Sequence, residues 1–193
     1  SVRGGQKGIF SVISPTVYTL AVTPNLNSTS PVLVSVASGR FTDAAGNRNI
    51  GALHTQAVDT LAPTMTIVSD HPAVTNSAVL YRLTLSEASS TFDARDITVT
   101  GGIKGEFKAI RPTIYTLSVT PAADSTTPMT INVPAGAFSD AAGNKNKTAV
   151  QLSQAVDTLA PTIAIVSDHP AATNSAVLFR LTLSEALSLI HIS

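Results

Sequence analysis

The chain contains no cysteine. Disulfides, thiolate metal sites and a cysteine nucleophile are therefore excluded. Secretion is not, because a domain of about 100 residues buries enough core to fold without covalent staples. Charge is scarce as well: Asp, Glu, Lys and Arg make up 12% of the residues, and 12 bases balance 12 acids. No basic field exists to draw in nucleic acid. No apolar run approaches membrane-spanning length, so no membrane insertion is expected of this segment. No secretory signal is visible at its start. No stretch reads as a helix longer than one turn. EF-hand spacing, a calcium-binding nonapeptide repeat and a serine in a nucleophile elbow are all missing. Gly101, Gly102 and Gly105 form no phosphate loop, since no helix follows them; they suit turns or a bulge. Nothing here reads as catalytic.

What the chain does have is a repeat. Gln56–Ala88 returns as Gln154–Ala186 with 29 of 33 positions identical at a shift of 98, the changes being Met65/Ile163, Thr66/Ala164, Val74/Ala172 and Tyr81/Phe179. Residues 1–48 align with 98–145 at a shift of 97, with 26 identities. Tandem copies of one unit follow. The expected division is an incomplete repeat at 1–59, a complete one at 60–157 and an incomplete one at 158–186. After Ala186 the match ends abruptly. The tail 187–193, beginning Leu-Ser-Leu-Ile-His-Ile, resembles an in-frame translation of a sequencing-library adaptor and is expected to be non-native; a genuine variant terminus is the alternative. On the first reading His191 carries no biological meaning, and the chain is a fragment of a longer frame.

The complete repeat alternates apolar and polar residues with period 2, the pattern of half-buried strands. Seven are expected: A, Thr64–Val68; B, Ala78–Ser86; C, Ile97–Thr100; D, about Gly105–Ile110; E, Ile114–Thr120; F, Met129–Val133; G, about Ala149–Val156. Turn formers separate them, among them Asp70-His71-Pro72, Arg111-Pro112 and Pro134–Asn146. Seven short strands in just under 100 residues argue for a two-sheet antiparallel sandwich. Repeat 1 keeps strands C–G and repeat 3 keeps A and B. Each is expected to expose apolar faces and unpaired edges.

Several segments recur in fixed order: Val36–Asn47 and Val133–Asn144 ("VxxGxFTDAAGN", with Ser139 for Thr), Val58–Thr64 and Val156–Thr162 ("VDTLAPT"), Asp96–Gly102 ("DITVTGG"), and "LTLSEA". Together they resemble the bacterial Ig-like repeats of large surface and secreted adhesins, including RTX-adhesin extenders and biofilm-associated proteins, over residues 1–186. The resemblance implies an all-β fold of tandem Ig-like seven-stranded antiparallel sandwiches serving as a stalk. In several such proteins calcium stiffens the domain junctions.

Strand order alone suggests where a cation would sit. If strands alternate up and down, the linker into the complete repeat, the B–C segment and the F–G loop share one pole. That gathers Asp59, Glu87, Asp93, Asp96, Asp140 and Asn144. These are hard oxygen donors of the kind calcium takes in sets of six to eight, and without a cation they would repel one another. Repeat 3 retains the incomplete equivalent Asp157 and Glu185; repeat 1 retains Asp43 and Asn47. A purely local role competes with this: Asp in Asp-Ala-Ala-Gly-Asn starts a turn, Gly143 or Asn144 suits positive φ, and Asp59 caps the linker. The two readings are compatible. Asp70-His71 and Asp168-His169 read as turn residues, and Tyr81, Phe107 and Tyr115 as core.

The expected function is structural: extender segments of an extracellular or cell-surface adhesin. Each sandwich would contact its neighbouring repeats, and any host or biofilm surface ligand would be met through other domains. A glycan- or protein-binding module and an accessory domain of a secreted enzyme are the alternatives.

Overall fold

A computed structural model of the chain describes residues 1–71, 73–169 and 172–186. The tail 187–193 lies outside the described residues. The strands of the described chain all pair antiparallel, and the single helical element among the described residues is one 3-10 turn. Repeat 1 supplies β1 (Val2–Arg3), β2 (Gly5–Ser14), β3 (Val17–Pro24), β4 (Val32–Val36) and β5 (Ala52–Gln56). Repeat 2 supplies β6 (Met65–Ser69), β7 (Val79–Leu85), β8 (Thr98–Thr100), β9 (Gly102–Arg111), β10 (Ile114–Pro121), β11 (Met129–Val133) and β12 (Val150–Gln154). Repeat 3 supplies β13 (Ile163–Ser167) and β14 (Phe179–Leu183).

In repeat 2 all seven expected strands form. They build a four-stranded sheet in the order β6-β7-β10-β9 and a three-stranded sheet in the order β12-β11-β8. In strand letters these are the A-B-E-D and G-F-C sheets of an Ig-like sandwich. Alternation is what packs them. Met65 and Ile67, Val79 to Leu85 at every second residue, Tyr115, Leu117 and Val119 point in from the first sheet. Met129, Ile131 and Val133 face them from the second. The residues between are polar or tolerate water, so one face of each sheet is wet.

Strand D begins at Gly102, three residues before the sequence pattern suggested, and β9 pairs with β10 through a register shift opposite Ser118. The backbone N–H of Glu106 donates to the Ser118 hydroxyl at 2.9 Å there. Gly101 sets up the turn into β9 with φ +70°, and a Cβ on it would collide with the carbonyl oxygen of Pro128. Only glycine meets both demands.

Aromatic packing departs most from what the pattern anticipates. Phe92 and Phe138 lie in loops, yet both are buried. Phe92 contacts Tyr115, Phe138 and Phe107 edge-on, with centroids 5.0, 5.3 and 5.8 Å away. The cluster closes the sandwich beneath one pole. Phe107 is only partly buried and stacks on Tyr115.

Repeats 1 and 3 have the same local pairing without the surrounding core. β2 and β3 form a two-stranded sheet, β1-β4-β5 a three-stranded one, and β13-β14 a hairpin. The consequence is visible position by position. Tyr115 is 5% exposed and its counterpart Tyr18 is 53% exposed. Ile67 is 9% exposed and its counterpart Ile165 is 59% exposed.

Candidate functional site at the junction pole

The F–G loop of repeat 2 builds itself. The Asp140 N–H donates to the Asn144 carbonyl, and the Gly143 N–H donates back to the Asp140 carbonyl. Gly143 adopts φ +90°, which the turn requires. The Asp140 carboxylate then accepts from the Asn144 backbone N–H at 2.9 Å and from its side-chain amide at 2.9 Å. Asp43 and Asn47 in repeat 1 make the same two bonds at the same distances. Among the described residues no Glu87 counterpart faces the repeat 1 loop, and the loop forms there with the same bonds. The local-turn reading of these acids is therefore satisfied in the structure.

A buried amide frames the loop. Asn146 accepts from the Phe138 N–H at 3.1 Å and donates to the carbonyls of Pro134 and Thr148. The B–C segment is tied alongside: Ser89 Oγ donates to the Ser139 carbonyl at 2.6 Å, and the Ser139 N–H donates to Thr91 Oγ1 at 2.9 Å. No buried or linking role for these four polar residues was legible in the sequence. Short polar residues in loops have no periodicity to betray a buried partner.

The linker reaches the same place. Asp59 Oδ1 accepts from the Leu61 N–H at 2.9 Å, an Asx turn. Its carbonyl accepts from the Asn144 side chain at 3.1 Å. Asn144 thus fastens the linker to the F–G loop. Pro63 follows, fully buried. Glu87 arrives from the end of β7.

The outcome is a trio. Oxygen atoms of Asp59, Glu87 and Asp140 lie within 4.8 Å of one another, with Asp140 buried and the other two half-buried. Asn144 adjoins them as a hydrogen-bond donor. Asp93 and Asp96 stand outside the trio, because nearer partners engage them. Asp93 caps a single 3-10 turn, Ala94–Asp96, and binds the Arg95 guanidinium at 2.6 Å. Asp96 accepts from the Asp93 N–H at 2.8 Å, completing a capping box. At the next junction, Asp157 and Glu185 line one cleft together with Val74, Thr75 and Asn76 of repeat 2. Asp157 repeats the Asx turn with the Leu159 N–H at 3.1 Å.

The carboxylates titrate in opposite senses. Burial pushes the Glu87 carboxyl above its ordinary value, and the like charges of Asp140 and Asp59 push it further the same way. Burial pushes Asp140 up too, but hydrogen bonds from Asn144, Ala142 and Gly143 outweigh it and hold the carboxyl below its ordinary range. Three acidic side chains therefore converge at this pole. Three carboxylates with this spacing are oxygen donors of the type that hard divalent cations take, alongside carbonyls and water.

Both linkers are fastened to the repeat before them. The Thr60 hydroxyl donates to the Asn25 carbonyl at 2.6 Å and accepts from the Ser28 N–H at 3.0 Å. The Thr158 hydroxyl donates to Ala122 at 2.7 Å and accepts from the Ser125 N–H at 2.9 Å. At the second junction a strand-like bridge pairs Thr75 with Val156, and the Asp157 N–H donates to the Thr75 carbonyl. Gln154 adds bonds to Ser69 Oγ and the Ala73 carbonyl.

His71 and His169 each sit beside an aspartate at a hairpin end. His71 Nδ1 is 2.7 Å from Asp70 Oδ1, and the same carboxylate oxygen accepts from the Leu80 N–H. His169 and Asp168 repeat the arrangement. In each case the acid closes the end of a hairpin, which is a turn role.

A family model described as bacterial Ig-like domain matches residues 59–156, just over half of the chain. No curated protein and no solved structure matches.

Proposed function

This chain belongs to the bacterial Ig-like domain family, and from that premise we propose that it is a stretch of spacer: extender repeats of an extracellular, cell-surface adhesin. The observation that carries the proposal is the repeated linker clasp. Thr60 and Thr158 lock into the preceding repeat through equivalent bonds, so successive units follow one another at a set geometry rather than on a loose tether. The buried Pro63 restricts the linker further, since its ring fixes φ. Each sandwich contacts only its neighbours and adds one increment of reach. The reading is non-catalytic.

Calcium fits this role. Asp59 comes from the linker, Glu87 from the end of β7 and Asp140 from the F–G loop, so an ion held by all three would cross-brace the entering linker to the sandwich. A bound cation supplies the charge that offsets their mutual repulsion. Asn144 orients Asp140 and holds the Asp59 backbone, while Asp157 and Glu185 begin the same arrangement for the next unit.

The test is a melting curve and a small-angle scattering profile of the chain in calcium chloride and in chelator. A higher melting temperature and a longer, stiffer particle in calcium are expected. Identical values in both conditions would remove the metal and leave a plain spacer. A scattering profile showing freely jointed units in both conditions would overturn the spacer reading itself.

A further inference from the structure

We propose that the outer face of the β6-β7-β10-β9 sheet in repeat 2 is a docking site for an extended acidic peptide, one with Asp or Glu side chains four residues apart and an aliphatic residue midway between them. The inference goes beyond the spacer reading and does not depend on it. The site is an open cup of about 530 Å³ across the middle of that face. Its lining comes entirely from β6, β7, β9, β10 and the turns beside them, so repeats 1 and 3 contribute nothing to it. The floor is aliphatic. Val68, Leu80 and Ile110 are each about half exposed, on a sheet face where alternation ordinarily puts polar residues. Half-buried Ile114 completes it.

Charge decides what the cup takes. Arg82 stands between Val68 on β6 and Thr116 on β10 in the register of the sheet, and Arg111 on β9 pairs with Ile114. Neither guanidinium enters any ion pair formed among the described residues. The acids nearby are already engaged. Asp70 Oδ1 accepts from the Leu80 N–H and meets His71, and Glu106 pairs with Lys108 at 2.9 Å. Two free cations flanking an aliphatic floor call for acid, aliphatic and acid in that order. The spacing agrees. Arg82 and Arg111 are two strands and two residues apart, about 12 Å at ideal sheet spacings, and residues i and i+4 of an extended chain are about 13 Å apart. Side chains at i, i+2 and i+4 share one face, so both acids reach the guanidiniums while the middle side chain covers the floor. A carboxylate accepts paired N–H bonds from a guanidinium, which fixes direction as well as charge.

Other occupants fit less well. Two arginines fall short of the roughly four to eight basic residues that hold an anionic membrane surface. No aromatic side chain lines the cup, so a sugar ring has no stacking platform. A folded partner needs a wider face, since stable pairs bury about 1,200–2,000 Å². Val68, Leu80 and Arg82 recur unchanged as Val166, Leu178 and Arg180, but the counterpart of Arg111 in repeat 1 is Ser14. Arg111 is the residue that gives the repeat 2 face its second cation.

Titration of the full chain with acetyl-Glu-Ser-Leu-Ser-Glu-amide, followed by methyl NMR, tests this. Saturable shifts at the methyls of Val68, Leu80, Ile110 and Ile114 are expected. Arg82→Gln and Arg111→Ser are each expected to weaken binding about tenfold, with the melting of repeat 2 unchanged. A peptide with Gln in place of both Glu, and one of the original composition with its two Glu adjacent, are expected to bind about tenfold or more weakly than the first. The proposal is overturned by a wild-type chain whose methyls do not shift, by either control peptide binding as tightly as the first, or by either arginine variant keeping full affinity. It is also overturned if phosphatidylglycerol vesicles or polygalacturonate occupy this face more tightly than the peptide, which would assign it to a membrane or a polysaccharide.

Discussion

Glu87 is the residue on which the junction pole turns. Its carboxyl is raised, so as pH climbs through its folded-state value the sandwich loses stability that it holds when Glu87 is protonated. Asp140 runs the other way. Its carboxyl is lowered, so its contribution is complete above the ordinary value of 3.8 and lost as pH falls through the lower folded value. Glu87→Gln is expected to stabilise the fold in chelator, by roughly 0.5–1 kcal/mol of relieved like-charge repulsion, and to erase any calcium-dependent gain. Thermal melts with and without calcium check both halves. Asp140→Ala is expected to cost about 1–3 kcal/mol even in chelator, because it orphans donors of Asn144. Urea unfolding in chelator reads that loss directly. Tyr81 is a different case. Its hydroxyl is buried with no hydrogen-bond partner among the described residues, and burial raises it to about 12. Phe179 occupies the counterpart position. Tyr81→Phe is therefore expected to be neutral or stabilising, by up to about 1–3 kcal/mol of recovered desolvation, as denaturant titration would show.

At the scale of elements, two constraints dominate: packing between sheets and the turns that feed them. Leu117 lies fully buried on β10 between β7 and β9. Leu117→Ala is expected to cost about 2–5 kcal/mol. Its counterpart Leu20 is half-buried in a repeat with no closed core, so Leu20→Ala is expected to cost far less. Comparing the two by chemical denaturation separates strand propensity from packing. The F–G loop illustrates the opposite kind of element. Asp43 and Asp140 fold equivalent turns in very different surroundings, so that turn is local chemistry. The B–C segment is not local: its route depends on Ser89 and Thr91 meeting Ser139, and on Phe92 finding the space under the pole.

Across the whole molecule, one intact sandwich stands between two part-sandwiches. Its linkers enter and leave at opposite poles, and each is hydrogen-bonded to the repeat before it. Removing the clasp hydroxyl with Thr158→Val is expected to loosen the second junction while leaving the repeat 2 core alone. Scattering would register a broader range of end-to-end distances with little change in melting temperature. Serial contact of this kind is what makes reach scale with the number of repeats.

Sequence alone determined the period, the all-β class and all seven strands of repeat 2, and it placed Tyr81 and Tyr115 in the core. These are local or pairwise properties: alternation with period 2, turn residues between runs, and a ruler of near-identical copies. It also brought Asp59, Glu87 and Asp140 to one pole, because strand order alone puts loop ends together. Only the tertiary structure decided which acids meet. Asp93 and Asp96 lie on the B–C segment beside that pole, yet a capping box and Arg95 claim them first, at distances no linear pattern encodes. The burial of Phe92, Phe138 and Asn146 was settled there too. Loop side chains have no period, and whether they are buried depends on what space the two sheets leave when they close.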